Sequence, residues 1–403
     1  MKYIVVVPDG MADYPVEILG NKTPLEVAKT PNMDYLAQQG FNGLVQIIPE
    51  QMSPGSDIGN LAIMGYDPRK HFSGRAPLEA ANLGIILKND EVAFRCNLVT
   101  VYDEQMADYS AGHISTPEAA ILIEALNKKF NSPYMTFYPG KSYRQLVVIK
   151  SDHVKELLKI KCTPPHDIAG QKIKAYLPQG PFAEELCALM EGSKEVFMNH
   201  PVNQVRIDLK ENPATMIWLW GQGSRPNLPL FTEKFGLKGS MISAVDLVNG
   251  IGRLAGLEVV QVPDITGYYD TNYLGKAEYA LKSLRRKDFV FIHIEAPDEA
   301  GHNGDIKMKL TTIERIDREI IGTILKKFAK KNDFRILILP DHATPVEKRC
   351  HVNDPVGFVM FGKGIPQDGS TVYTEAASKE KGLKFKSGEG LMEYFIRENL
   401  EVN

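Results

Sequence analysis

Ile4-Val-Val-Val7 is apolar and β-branched at every position. A chain buries such a run as a strand covered on both faces, which is the situation inside a parallel sheet. Three similar runs come late: Asp288-Phe-Val-Phe-Ile-His-Ile294, Phe334-Arg-Ile-Leu-Ile-Leu-Pro340 and Val356-Gly-Phe-Val-Met-Phe361. Between the first two, apolar residues recur at spacings of three and four: Leu310, Ile313, Ile316, Ile320, Ile324 and Phe328. That spacing predicts one helix with a single apolar stripe. Lys326, Lys327, Lys330 and Lys331 then read as its solvated end rather than as a nucleic-acid site. Strand and helix signals alternate, so the expected class is α/β, a mostly parallel sheet flanked by helices.

From about Lys88 to Glu211 the pattern changes: strands are shorter, and prolines cluster at Pro164-Pro165 and Pro178-Gln-Gly-Pro181. This predicts a smaller α+β domain inserted into the first, with crossings near Gly74 and Asn212. Residues 1–74 and 213–403 would form one domain and 75–212 the other. The 47 Lys and Arg nearly balance 50 Asp and Glu, which argues against a nucleic-acid-coating protein. No apolar run approaches the ~18 residues of a membrane span. The N-terminal run ends in Asp9 without a small-residue cleavage site and reads as a strand, not a signal peptide. Cys96, Cys162, Cys187 and Cys350 are scattered, with no C-x-x-C pair. A reducing, cytoplasmic setting is the expectation.

Chemistry gathers where the strands end. Ile4–Val7 runs into Pro8-Asp9-Gly10, the second run into Glu295-Ala-Pro-Asp298-Glu-Ala-Gly-His302, and the third into Pro340-Asp341-His342. His351 stands shortly before the fourth run. Ligands of open α/β sheets bind at the carboxyl ends of the strands. Acids and histidines from distant parts of the chain would therefore meet at one edge, as donors suited to Zn²⁺, Mn²⁺ and similar ions. Taken singly, Asp9 and Asp298 read as helix N-caps; as a set they read as a metal site. In Ser53-Pro-Gly55-Ser56-Asp57-Ile-Gly59-Asn60, Ser56 sits near the start of a helix. There it is either an N-cap or a nucleophile activated by a nearby metal.

Arg75, Arg95, Arg144, Arg225 and Lys276 are the candidate cations for a phosphate or carboxylate. Arg95 lies in an apolar strand and calls for a planar anionic partner, substrate or structural carboxylate alike. His113, in Ser110-Ala-Gly-His-Ile-Ser, reads equally as a general acid/base or as a residue at a helix start. Nucleotide fingerprints are missing: Gly140-Lys141-Ser142 has Met135 where a P-loop needs glycine, and Gly250-Ile-Gly252 follows no strand.

As a set, Asp9, Pro-Gly-Ser56-Asp, Ala-Pro-Asp298-Glu-Ala-Gly-His302, Pro-Asp341-His342 and His351-Val-Asn-Asp-Pro resemble the alkaline phosphatase superfamily. More narrowly they resemble the archaeal-type, cofactor-independent phosphoglycerate mutases, over nearly the whole chain. The resemblance implies an alkaline-phosphatase-like sheet with an inserted cap and two divalent ions (Mn, Zn, Co or Mg), without 2,3-bisphosphoglycerate. Asp298, His302 and His351 would hold one ion; Asp9, Ser56, Asp341 and His342 the other, with Ser56 as nucleophile. It implies a small phosphorylated substrate, 3- or 2-phosphoglycerate, exchanging its phosphoryl group through phosphoserine. The cap would enclose the intermediate against hydrolysis. Mutases of this type tend to have His at the position of Asn60, arginines at those of Tyr109, Ser110 and His113, and Gly-Phe-Phe at that of Ala76-Pro-Leu. These departures are placed on the substrate side. Asp108-Tyr-Ser-Ala-Gly-His113 resembles more closely a branch proposed to be homoserine kinases, which is the alternative reading; a phosphomonoesterase is a third. A non-catalytic binding protein would need a degraded metal set, and no ligand position is missing.

Overall fold

The computed structural model describes residues 1–130, 132–328 and 333–397. The chain divides into two compact units: residues 1–72 together with those from Asn227 on, and Ser73–Pro226. In chain order, β1 (Lys2–Pro8) and β2 (Phe41–Val45) belong to the first unit. Then come β3 (Glu91–Tyr102), β4 (Gln105–Asp108), β5 (Met135–Lys141), β6 (Arg144–Lys150) and β7 (Met216–Ser224) of the second. The first unit resumes with β8 (Gly239–Ile242), β9 (Glu258–Val259), β10 (Phe289–Ile294), β11 (Phe334–Ile338), β12 (Val356–Gly362) and β13 (Leu383–Phe385).

The first unit is an α/β structure on an eight-stranded sheet of order β13-β2-β12-β11-β1-β10-β8-β9. Every neighbouring pair is parallel except β11–β12 and β12–β2. Both faces of the central strands are buried, as the unbroken apolar runs require. Ile4, Val6, Val290, Ile292, Ile336 and Ile338 share one core with Ala277, Ala280, Ile313, Ile316, Ile320 and Ile324. On the alternate positions, Tyr3 meets Phe395 and Phe289 meets Phe231.

The helix expected through Phe328 is α-helical over Ile306–Arg315, a π-turn over Ile316–Ile321, and α-helical again over Gly322–Phe328. Its later apolar residues recur strictly by four, more than the 3.6 of an α-helix, and the wider turn keeps them facing the core. Lys326 and Lys327 are exposed; Lys330 and Lys331 lie outside the described residues.

In the second unit an antiparallel sheet, β4-β3-β6-β5 with β7 on β3, carries two helices, Thr116–Lys129 and Ala183–Met198. Val92, Phe94, Cys96 and Leu98 of β3 face the larger core, while Ala93 packs with Ala76 and Ala80 of the helix Arg75–Asn82. The first crossing falls at Phe72/Ser73, beside the expected Gly74, while the return falls at Pro226/Asn227, beyond the expected Asn212. β7 reads like a buried strand of the first unit, but it pairs with β3 from Val92 to Val99. Each crossing is locally closed. Ser73 Oγ donates to Ser224 O at 2.7 Å in the second unit, and His71 Nδ1 lies 2.6 Å from Asn227 O in the first.

Candidate active site

β1, β10 and β11 finish in step, Pro8 beside Ile294 and Val6 beside Ile338. Asp9, Glu295 and Asp341 therefore leave the sheet at one edge. β12 runs antiparallel to β11, so its beginning lies at that same edge. This is why His351, which precedes a strand, joins residues that follow strands. The helix Ala296–Asn303 starts directly after β10 and puts Asp298 and His302 four apart on one face. Neither aspartate is an N-cap: Glu295 holds the cap position of that helix, and Asp9 enters a turn at Gly10.

Ser56 is not a cap either. The helix runs Ser56–Ile63 with Gly55 at the cap position and no side-chain cap bond. The Ser56 hydroxyl instead lies 3.2 Å from Asp9 Oδ2 and 3.3 Å from His342 Nε2. Gly59 lets this helix sit against β11's end, because a Cβ there would fall 2.8 Å from Asp341 O. One turn on, Asn60 Nδ2 donates to Asp341 Oδ2 at 2.8 Å and to Ser56 O at 2.9 Å. Asn60, assigned from sequence to the substrate side, thus supports an acid of the metal side.

Two groups of donors abut. In one, His302 Nε2 is 3.2 Å from Asp298 Oδ2, His351 Nε2 is 3.4 Å from Asp298 Oδ1, and the two imidazole nitrogens are 2.8 Å apart. In the other, His342 Nε2 is 3.5 Å from Asp9 Oδ1 and 3.7 Å from Asp341 Oδ2. The His342 and His351 rings meet at a tilt of 31° with centroids 4.0 Å apart, joining the groups. Asp298, His342 and His351 also converge within 4.8 Å, as do Asp9, His293 and Asp341, and Asp9, Glu295 and Asp298.

The electrostatics call for cations. Burial, then the charges of Asp341, Glu295 and Asp298, raises the Asp9 carboxyl far above its usual range. Burial and Asp298 push Glu295 up to about 8. Burial works against the charged form of Asp298 too, but the imidazoles of His302 and His351 hold its carboxyl well below the usual range. Asp9 Oδ1 and Glu295 Oε2 are buried without a hydrogen-bond partner among the described residues. Crowded carboxylates, imidazole nitrogens and an orphaned carboxylate oxygen are a donor set that fits divalent metal ions.

The profile of the 2,3-bisphosphoglycerate-independent phosphoglycerate mutase family matches residues 37–203. A relative from Methanothrix thermoacetophila carrying that name is 48% identical over 399 residues, 98% of this chain and 100% of the relative. The chain belongs to this mutase family. Among solved structures, a Pyrococcus horikoshii protein matches with TM-score 0.84 and 30% identity, covering 99% of both chains. A cofactor-independent phosphoglycerate mutase from Thermoplasma acidophilum matches with TM-score 0.67 and 26% identity, over 98% of this chain and 99% of its own.

Sequence reasoning overlooked His293, a histidine inside the mutase's β10. It is fully buried, with Nε2 3.0 Å from Asp9 Oδ2 and Nδ1 3.2 Å from Ser243 Oγ. Burial lowers its pKa to about 4, so it stays neutral. The available signal was a lone polar residue in an otherwise apolar run. Lys276, expected to bind substrate, is instead buried, with Nζ 2.7 Å from His293 O; it props the strand that carries the site.

In the mutase's second unit, Arg95 is likewise structural. It gives two hydrogen bonds to Glu79 and lies 4.2 Å over Trp220. Arg75 opens the helix Arg75–Asn82, and Arg225 is exposed after β7. Arg144 Nε is buried with no partner among the described residues, and its guanidinium lies 5.7 Å from the Tyr143 ring. His113 precedes the Ser115-capped helix in a left-handed conformation (φ 51°), exposed and 6.1 Å from the Tyr143 ring. Ser110 is buried and bonds Asp108.

Proposed function

We propose that the chain interconverts 3- and 2-phosphoglycerate through phosphoserine at Ser56, without 2,3-bisphosphoglycerate. One observation carries the mechanism: the Ser56 hydroxyl is released from helix capping and placed between Asp9 and His342. Asp298, His302 and His351 would hold one divalent ion, and Asp9, Ser56, Asp341 and His342 a second, with Mn²⁺, Zn²⁺, Co²⁺ or Mg²⁺ as candidates. When bound, such ions lower the pKa of a ligating hydroxyl and neutralise charge on a transferring phosphoryl group. Ser56 Oγ forms the new O–P bond while the substrate ester O–P bond breaks, and the other glycerate hydroxyl later takes the phosphoryl group back. Ser56 stands at the N-terminus of its helix, where the dipole favours the phosphoryl anion. Asn60 holds Asp341, and His293 holds Asp9, so the acids keep their places through both half-reactions. Arg144, with its unpaired buried Nε, is the leading candidate for the substrate's carboxylate, Arg75 and Arg225 are secondary, and His113 is the candidate general acid/base. Four free cysteines suit a reducing, cytoplasmic setting.

The test is an enolase-coupled assay of the full-length, Mn²⁺-loaded protein with 3-phosphoglycerate and no bisphosphoglycerate, with Ser56→Ala as control. Serine-dependent turnover is expected. No turnover by folded, metal-loaded protein would overturn the proposal; homoserine phosphorylation from an added donor would then establish the kinase reading. Phosphate release matching substrate loss would establish the phosphomonoesterase.

A further inference from the structure

We infer that Thr344 is a positioning residue that fixes which nitrogen of His342 faces the metal position and ties the two donor groups together. The inference rests on Asp298 and His342 being metal ligands, as proposed above. Thr344 is fully buried, and its hydroxyl touches both: it bonds Asp298 Oδ1 and lies 3.2 Å from His342 Nδ1. A hydroxyl has one hydrogen, and an ionised carboxylate only accepts. The Thr344 hydrogen therefore goes to Asp298, which leaves a lone pair toward His342. Nδ1 then carries the imidazole hydrogen and Nε2 turns its lone pair to the metal position, 3.3 Å from Ser56 Oγ and 3.5 Å from Asp9 Oδ1; in metal-stripped protein the Ser56 hydrogen, otherwise given to Asp9 Oδ2 at 3.2 Å, goes to Nε2. Such a partner sets the tautomer and ring orientation of a ligating histidine.

The rest of the residue is clamped. Thr344 N donates to Ala12 O at 3.2 Å. Thr344 O accepts from Lys309 Nζ at 2.7 Å, and that ammonium is paired at 2.7 Å with the equally buried Asp13. Gly10 (φ 59°) closes over the bridge: a Cβ there would fall 2.5 Å from Asp298 Oδ1 and 2.6 Å from Thr344 Oγ1. The buried ion pair Lys309–Asp13 thus acquires a role, holding the backbone from which the hydroxyl reaches both ligands.

The experiment uses full-length protein with ¹⁵N-labelled histidine, stripped of metal with EDTA, at a pH above the ordinary imidazole range. His342 is assigned by loss of its signals in His342→Gln. The expected result is the Nδ1–H tautomer in the wild type and in Thr344→Ser, and a mixture in Thr344→Val. Zinc affinity, read by chelator competition, should fall about 10–100-fold in Thr344→Val and return close to wild type in Thr344→Ser. An Nε2–H tautomer in the wild type overturns the inference. So does a Thr344→Ser variant as weak as Thr344→Val, which would make the methyl's packing the cause. If Thr344→Val does not fold, the wild-type tautomer and the Thr344→Ser affinity still decide. Neither readout uses turnover, so failure here is separable from failure of the mutase reading.

Discussion

Arg95 and Glu79 form a bidentate pair, Nε to Oε2 at 3.0 Å and Nη2 to Oε1 at 2.8 Å, with side chains only 8% and 12% exposed. Removing one partner of such a pair costs about 3–5 kcal/mol because the other charge stays buried; replacing both with apolar residues of similar volume is often near neutral. Glu79→Ala should therefore destabilise the Ser73–Pro226 unit by about 3–5 kcal/mol. The double variant Glu79→Met/Arg95→Met should stay within about 1–2 kcal/mol of wild type. With a urea m-value of about 2 kcal/mol/M, the single variant moves the midpoint down by about 1.5–2.5 M. The assay is specific to this unit, because the chain's two tryptophans, Trp218 and Trp220, both lie on β7. Arg95 also stacks on Trp220, so the emission of the folded state should change in the double variant. If Glu79→Ala unfolds at the wild-type midpoint while Arg95→Met raises KM, Arg95 is a substrate ligand and the structural assignment is wrong.

Ser56→Ala should lower turnover by at least about 10⁴-fold while metal content, measured by mass spectrometry, stays near wild type; retention of most activity would exclude phosphoserine. Asp298→Asn and His302→Ala should each reduce bound metal, and full occupancy in both would remove the Asp298–His302–His351 site. Glu375 accepts from Asp13 N at 3.2 Å and Thr23 Oγ1 at 2.6 Å, and burial pushes its carboxyl from 4.5 to about 7. The protonated native form stabilises fully below the unfolded value and loses that contribution as pH rises through 7. The stability difference between wild type and Glu375→Gln should therefore fall from pH 4.5 to 7 and then level off; a difference constant with pH would contradict it.

The metal side was legible because strand ends are legible. A buried apolar run followed by Asp marks where a side chain leaves a sheet, and Asp9, Asp341-His342 and Asp298-x-x-x-His302 each follow one. His351 was found by its nearness to a strand, but the reason it reaches the site, the reversed direction of β12, depends on sheet pairing that no local pattern carries. His293 and Thr344 were hidden, and Lys276 was given the wrong role, for a related cause. The chemistry of each comes from a partner distant in sequence: Asp9, Asp298 and the β10 backbone. Arg95 was recognised as needing an anion, yet Glu79 lies on a helix whose packing against β3 had to be seen. The return crossing was misplaced because β7 has the composition of a buried strand, and composition does not say which sheet it joins.

The closed crossings at Ser73–Ser224 and His71–Asn227 have a genetic consequence. Every proposed metal ligand and the nucleophile are encoded before codon 73 or after codon 226, and each unit keeps its two cut ends side by side. The intervening segment is a cassette: an exchange of codons 73–226 between homologous genes recombines whole domains at two seams, without dividing a sheet. Lineages carrying such a chain can vary the cassette by recombination as well as by point substitution, while the proposed metal ligands and nucleophile are inherited intact.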